Sequence, residues 1–159
     1  MTVPAAAGAA GRLRAVPAAP GGDDVDLGLR VIGRVESPLT DPGQAPRQGD
    51  EGAPAAWLVL DEAVAPALDG LAAGARVVVL TWLHQARRDV LAVHPRDDPA
   101  RPLAGVFCTR SQDRPNPIGL HPTTVTAVDG TRVGVAHLEA VDGTPVLDIK
   151  PLLGPPPGR

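Results

Sequence analysis

The sequence has no tyrosine, one phenylalanine, two tryptophans and one cysteine. With so few rings, any function that needs a row of stacked aromatics has few candidates. Cys108, the single cysteine, can form neither an intrachain disulfide nor a cysteine-based zinc cluster, so no metal is expected and a reducing, cytoplasmic setting fits. Long apolar runs are also missing: none approaches the roughly 20 residues of a bilayer-spanning helix. Residues 1–22 are Ala, Gly and Pro broken by Arg12 and Arg14, a pattern read as neither a signal peptide nor a membrane anchor. A basic excess is lacking as well. The formal charge of -3 argues against wholesale electrostatic capture of nucleic acid.

Charge is nevertheless unevenly spread. Between His84 and Arg114 there are six arginines (Arg87, Arg88, Arg96, Arg101, Arg110, Arg114) against four aspartates. Lys150 is the only lysine beside fourteen arginines, which suggests a point-charge contact or a buried pair with Asp148.

The chain's 159 residues are one domain's worth, and about two-thirds of the unfolded surface can be buried at this size. Residues 1–27 have too few large apolar groups to offset the entropy of ordering them and are expected to be a disordered tail. A Pro-rich tail is expected over 153–159, which leaves a folded domain over 28–152. Leu29, Val31 and Val35 alternate with polar residues as in a half-buried strand. Short Val-rich runs at 56–60, 77–83, 90–93 and 103–109 also suit strands. A short helix is expected over 62–71, with Asp61 as its N-cap and Pro66 limiting its regularity. Residues 123–138 form two Val-rich arms around Asp129-Gly130, a pair suited to a tight hairpin turn. Asp142-Gly143 precedes a last strand at 146–149. Seven or eight short strands with one helix predict an all-β sandwich or barrel.

Several stretches carry candidate chemistry. In the run from Thr109 to Gly119, Arg110 and Arg114 flank Ser111, and Pro115, Asn116 and Pro117 follow. Prolines fix φ and stiffen a loop, and a stiff loop holds arginine forks in front of a carboxylate, a phosphate or a nucleotide edge. A rigid turn with solvated arginines explains the same residues equally well. Asp142-Gly143-Thr144-Pro145 is explained by a turn alone. His84 and Gln85 leave an apolar strand together, and His84 can serve as a base or a hydrogen-bond donor. Pro46-Arg47-Gln48 lies in the long first loop, where binding residues are frequent. Dinucleotide and phosphate-loop signatures are absent, and the histidines lack metal-ligand spacing.

Taken in order, Ile32-Gly33 to Ser37-Pro38, Pro46-Arg47-Gln48, His84-Gln85, Gly105 to Ser111, Arg114 to Gly119, and Asp142 through Pro151 resemble the TsaA/TrmO-like family, also called YaeB-like or UPF0066. The likeness covers about residues 29–152. It implies a small single-sheeted β-barrel of mainly antiparallel strands that binds S-adenosyl-L-methionine, usually as a homodimer. The activity it implies is methylation of N6 of threonylcarbamoyladenosine at position 37 of tRNA, with the anticodon loop as partner. By matching positions, it implies a cofactor site of Pro46, Arg47, Gln48, His84, Gln85, Arg110, Arg114, Asn116, Asp142, Gly143, Thr144 and Pro145. Asp148 and Lys150 would brace it, and Asp142 first and His84 second are the candidate bases. Leu152 stands where the family often has tyrosine after Lys-Pro. Because aromatics are scarce and the charge is acidic, two further readings stand beside the tRNA one. One is an N-methyltransferase of a small amine; the other is a module that binds the cofactor without turnover.

Overall fold

Alternation of valine and leucine with smaller or polar residues sets up most of the strands. In the computed structural model, which describes residues 28–154, β1 (Gly33–Glu36), β2 (Ala56–Leu60) and β3 (Arg76–Trp82) bury every second side chain. β6 (Ile118–Asp129), β7 (Arg132–Val135) and β8 (Pro145–Pro151) complete a closed antiparallel barrel in the order β1-β2-β7-β6-β3-β8. Closure between β8 and β1 is short, made by Gly33 opposite Val146 and Arg34 opposite Pro145. The expected tail over 1–27 lies outside the described residues, as do residues 155–159.

A barrel of six strands is narrow enough for side chains to fill it. Leu58, Val79, Val133, Val135 and Val146 are fully buried in its centre. The hairpin joining β6 and β7 is where Asp129-Gly130 pointed, with Asp129 paired to Arg132. Gly130 alone in this turn takes a positive φ, 57°, a conformation that glycine adopts without the Cβ clash other residues meet.

The all-β, antiparallel expectation holds, with three differences. The helix expected over 62–71 is a 3-10 helix, Glu62–Leu68, interrupted by Pro66 and without a side-chain cap from Asp61; Pro66 lacks the N–H that an α-helical continuation needs. The first strand begins at Gly33 rather than near Leu29, which is 63% exposed. The runs at 90–93 and 103–109 do not join the barrel. They shrink to β4 (Ala92–Val93) and β5 (Ala104–Gly105), a separate two-stranded sheet. The Pro-, Asp- and Arg-rich segment between them cannot continue a ladder. The described residues thus contain a two-stranded sheet in addition to the single sheet of the barrel. Ala86–Pro117 forms a compact unit of its own, and the barrel residues on either side of it in sequence form another.

On the barrel exterior, Arg132 of β7 forks onto Glu36 of β1, with N···O distances of 2.7 and 3.2 Å. Its guanidinium lies 5.2 Å from the centre of the Trp57 ring on β2, so one side chain spans three neighbouring strands. The hydrogen-bonded guanidinium holds the Glu36 carboxyl below its ordinary value. The resulting stabilisation is fully present above the ordinary glutamate range and is lost as pH falls through the lowered value.

Leu58 sits at the barrel centre with no exposed surface. Leu58→Ala removes its transfer energy and leaves a cavity, so it should destabilise the protein by about 2–5 kcal/mol. In urea unfolding this appears as a lower midpoint at an unchanged slope.

Candidate functional site

In the barrel unit, the Asp142 turn is the most firmly built of the candidate stretches. The amide of Asp142 donates to Leu39 O at 2.7 Å, and that of Gly143 donates to Val35 O at 2.7 Å. Ser37 N donates to Asp142 Oδ1 at 3.0 Å, and Arg34 Nη1 donates to Gly143 O at 3.1 Å. Gly143 takes φ 78°, the left-handed geometry that the turn demands. Asp142 is therefore an exposed carboxylate with one oxygen fixed by a backbone amide. Thr144 and Pro145 are buried, and the Thr144 hydroxyl donates to Val141 O at 2.7 Å. Their side chains shape the turn and are not presented outward.

Arg47 and Gln48 are exposed beside half-buried Pro46, and Gln48 is the N-cap of the 3-10 turn Gly49–Glu51. His84 and Gln85 are exposed just beyond the end of β3. Lys150 does pair with Asp148, at 2.8 Å, but in the open: the two side chains are 63% and 46% exposed. The alternative of a buried pair is thereby excluded.

In the unit Ala86–Pro117, Arg114 turns inward on its own loop. Its Nε donates to Ser111 O at 2.8 Å, and its Nη2 donates to Thr109 O at 2.6 Å and Val106 O at 3.0 Å. The run is stiff because a guanidinium ties together the carbonyls of the 3-10 turn Val106–Cys108 and of the residues after it, and not because of its prolines alone. Arg88 makes a parallel contact, with Nε donating to Pro115 O at 2.8 Å and Nη2 lying 3.5 Å from Asn116 Oδ1. Arg87 N donates to Asp113 Oδ1 at 2.9 Å, and Arg114 N returns a bond to Arg87 O. Arg110 instead lines a shallow cavity of about 290 Å³ with Phe107, Cys108 and Thr109. Phe107 is 84% exposed. No group of three or more metal-ligating side chains occurs among the described residues.

Comparison with known proteins can now be set against this geometry. Residues 34–154 match the family described as tRNA-methyltransferase O N-terminal domain. The chain belongs to that family. It is 39% identical over 129 residues to a probable S-adenosyl-L-methionine-binding protein, VirR, of Rhizobium radiobacter, covering 81% of this chain and 73% of that one. It is 38% identical over 122 residues to an S-adenosyl-L-methionine-binding protein of Archaeoglobus fulgidus, covering 77% and 86%. Among solved structures, TrmO from Pseudomonas aeruginosa superposes with a TM-score of 0.62 at 32% identity, covering 79% of this chain and 55% of that one. The chain thus spans only about half of that solved protein.

Family membership encompasses all the stretches singled out from the sequence, but two features of this member had no sequence signal. Arg88 lies outside those stretches and Arg34 inside the first of them with no role read for it, yet they fasten the Pro115-Asn116 corner and the Gly143 turn. The other feature is a polar group inside the barrel: Thr81, His121 and Glu139. Thr81 Oγ1 is 2.7 Å from His121 Nε2, and His121 Nδ1 is 2.8 Å from Glu139 Oε1.

Because three carbonyls converge on the Arg114 fork, Arg114→Lys, which keeps the charge but has a single point donor, should loosen the loop selectively. At roughly 1 kcal/mol for each hydrogen bond lost, amide exchange at Thr109 is expected to accelerate about tenfold or more while barrel amides keep their rates. Unchanged exchange at Thr109 would show that the prolines alone hold the loop.

Proposed function

We propose that this protein is an S-adenosyl-L-methionine-dependent methyltransferase, and that its acceptor is N6 of threonylcarbamoyladenosine at position 37 of tRNA. The observation that carries the reading is the family match over residues 34–154, which takes in every stretch that the resemblance assigns to the cofactor. The residues present suit that cofactor's chemistry. Its amino-acid end carries an ammonium and a carboxylate, its sulfonium is cationic, and its adenine offers a donor and acceptor edge. Asp142 supplies an exposed anionic oxygen, Arg47 a guanidinium, and Gln48 and Gln85 amides that donate and accept together. Bound there, the cofactor would supply a methyl group already made electrophilic by the sulfonium.

The chain's own residues then have to orient the partners, exclude water and handle a proton, and orientation alone can supply much of the barrier reduction. Asp142 is the proposed base for the N6 proton. Its Oδ1 is fixed by Ser37 N, so the carboxylate is aimed before any ligand arrives. His84, at the end of β3, is the second candidate. Arg110, Arg114 and Asn116 belong to the proposed site through the matching family positions, with Arg114 acting through the loop it holds.

Two observations favour a nucleic-acid acceptor despite the net charge of -3. The unit Ala86–Pro117 carries six arginines against four aspartates. Its Phe107, the only phenylalanine, is 84% exposed beside Arg110. An exposed ring next to a guanidinium is what single-stranded loops stack upon. The reading carries with it a cytoplasmic homodimer. Among the described residues no helix is long and apolar enough to cross a membrane.

The deciding experiment is mass analysis of tRNA nucleosides from cells with and without the gene. Loss of the methyl on the modified adenosine is the expected result; an unchanged profile transfers the assignment to a small-amine acceptor. In the purified protein, Asp142→Asn assayed at saturating S-adenosyl-L-methionine should lower methyl transfer by about 10²–10⁴-fold. Retention of the parental rate would remove Asp142 from the role of base. Phe107→Ala should weaken tRNA binding about tenfold or more, the worth of one stacked base, and leave the calorimetric affinity for S-adenosyl-L-methionine unchanged.

A further inference from the structure

The inside of a narrow barrel is normally filled with apolar side chains, and most of this one is. Along the first half of β6 the pattern inverts. Gly119, His121 and Thr123 are buried, whereas Ile118, Leu120 and Pro122 are exposed. His121 meets the equally buried Thr81 of β3 at 2.7 Å, and its other nitrogen lies 2.8 Å from Glu139 Oε1. The imidazole is 4% exposed and the glutamate side chain 16%. Two buried polar atoms of this group, His121 Nδ1 and Glu139 Oε2, make no hydrogen bond among the described residues, so the imidazole and the carboxylate meet as a close charge contact.

Apolar side chains of similar volume would fill this space without the desolvation penalty of burying a carboxylate and an imidazole. Two glycines are fitted to the group. A Cβ on Gly119 would collide with Thr81 Oγ1 and His121 Nε2, and one on Gly49 would stand 3.3 Å from Glu139 Oε2. Gly49 directly follows Gln48. Thr81 lies three residues before His84, and Glu139 three residues before Asp142. The three barrel stretches assigned to the cofactor therefore all issue from neighbours of this polar group.

We propose that Glu139 is a positioning residue of the cofactor site. Its carboxylate, packed against the His121 ring, is the floor on which the Gln48-Gly49 corner rests, and through that corner it sets Arg47 and Gln48. The Thr81 hydroxyl can donate to or accept from Nε2, and so fixes the ring that packs against the carboxylate. The amides of Glu51 and Ala53, which donate to Gln48 O at 3.1 Å and Gly49 O at 3.2 Å, report on the corner's order.

The inference rests on the cofactor reading above, and calorimetry with S-adenosyl-L-methionine on the full chain, alongside hydrogen exchange without ligand, separates the two. Glu139→Ala should raise the Kd for S-adenosyl-L-methionine about tenfold and speed exchange at Glu51 and Ala53, with exchange at core amides such as Val79 unchanged. Glu139→Gln, which keeps the shape, should stay within about threefold of the parent. Gly49→Ala should weaken binding, and adding Glu139→Ala to it should recover part of the loss, because the new methyl takes the space of the carboxylate. A merely structural role would instead give additive losses and faster exchange throughout the barrel. Parental Kd in Glu139→Ala, or a changed Kd with unchanged exchange at Glu51 and Ala53, overturns the proposal. If the parent itself binds no S-adenosyl-L-methionine, the cofactor reading fails and this inference with it; there the parent, and not the variant, is silent.

Discussion

Residues 137–145 contain no regular structure until Pro145, yet the barrel end depends on the hydrogen bonds they make. A chain that crosses buried ground without a ladder must find partners for its backbone groups one at a time. Here Leu138 N donates to Pro54 O, Asp142 N to Leu39 O and Gly143 N to Val35 O, while Val35 N donates to Thr144 O. Direct β8–β1 pairing amounts to two residue pairs, so this lacing supplies much of what closes the ring. Closure and site construction are the same event: the bonds that complete the barrel also fix the orientation of Asp142.

That coupling ties the Asp142 turn to the rest of the fold. Its Asp-Gly pair and its Thr144 hydroxyl behave as turn-formers, as the local sequence implied. The turn's position in the fold, against β1 and after the buried Glu139, is what makes it more than a hairpin connection. Turn propensity reports only the local preference of four residues, whereas the partner that fixes Asp142, the amide of Ser37, is 105 residues away.

The strands most legible in the sequence were those whose valines face inward. β2, β3 and the β6–β7 hairpin lie within about three residues of the Val-rich stretches read as strands, apart from the first half of β6. That half was hidden because its polarity is reversed: Ile118 and Leu120 face out, and Gly119, His121 and Thr123 face in. Pro117 and Pro122 reinforced the impression of a loop. The runs around Val90 and Val106 misled for the opposite reason. They are apolar because they form a three-valine cluster of their own, and periodicity cannot tell a small separate cluster from one more barrel strand. For the site, the order of short motifs brought the family into view. It could not reveal that the Arg114 fork turns back on Val106, Thr109 and Ser111, because a side chain's direction depends on carbonyls that only the folded loop brings together.

Methyl transfer from a sulfonium demands little acid–base power and much geometric precision, since the electrophile is already activated. Each unit answers that demand in irregular backbone rather than in helices. In Ala86–Pro117 the rigidity comes from guanidinium groups collecting carbonyls, with Arg114 on three and Arg88 on one. In the barrel it comes from a carboxylate and a guanidinium at the closing turn and from the Glu139 carboxylate beside Gly49. Arginine suits the first task because its planar fork reaches several acceptors at once and stays charged at any physiological pH. Inside the barrel the task falls to a smaller ring, since the His121 imidazole reaches both the Thr81 hydroxyl and the Glu139 carboxylate from one buried position.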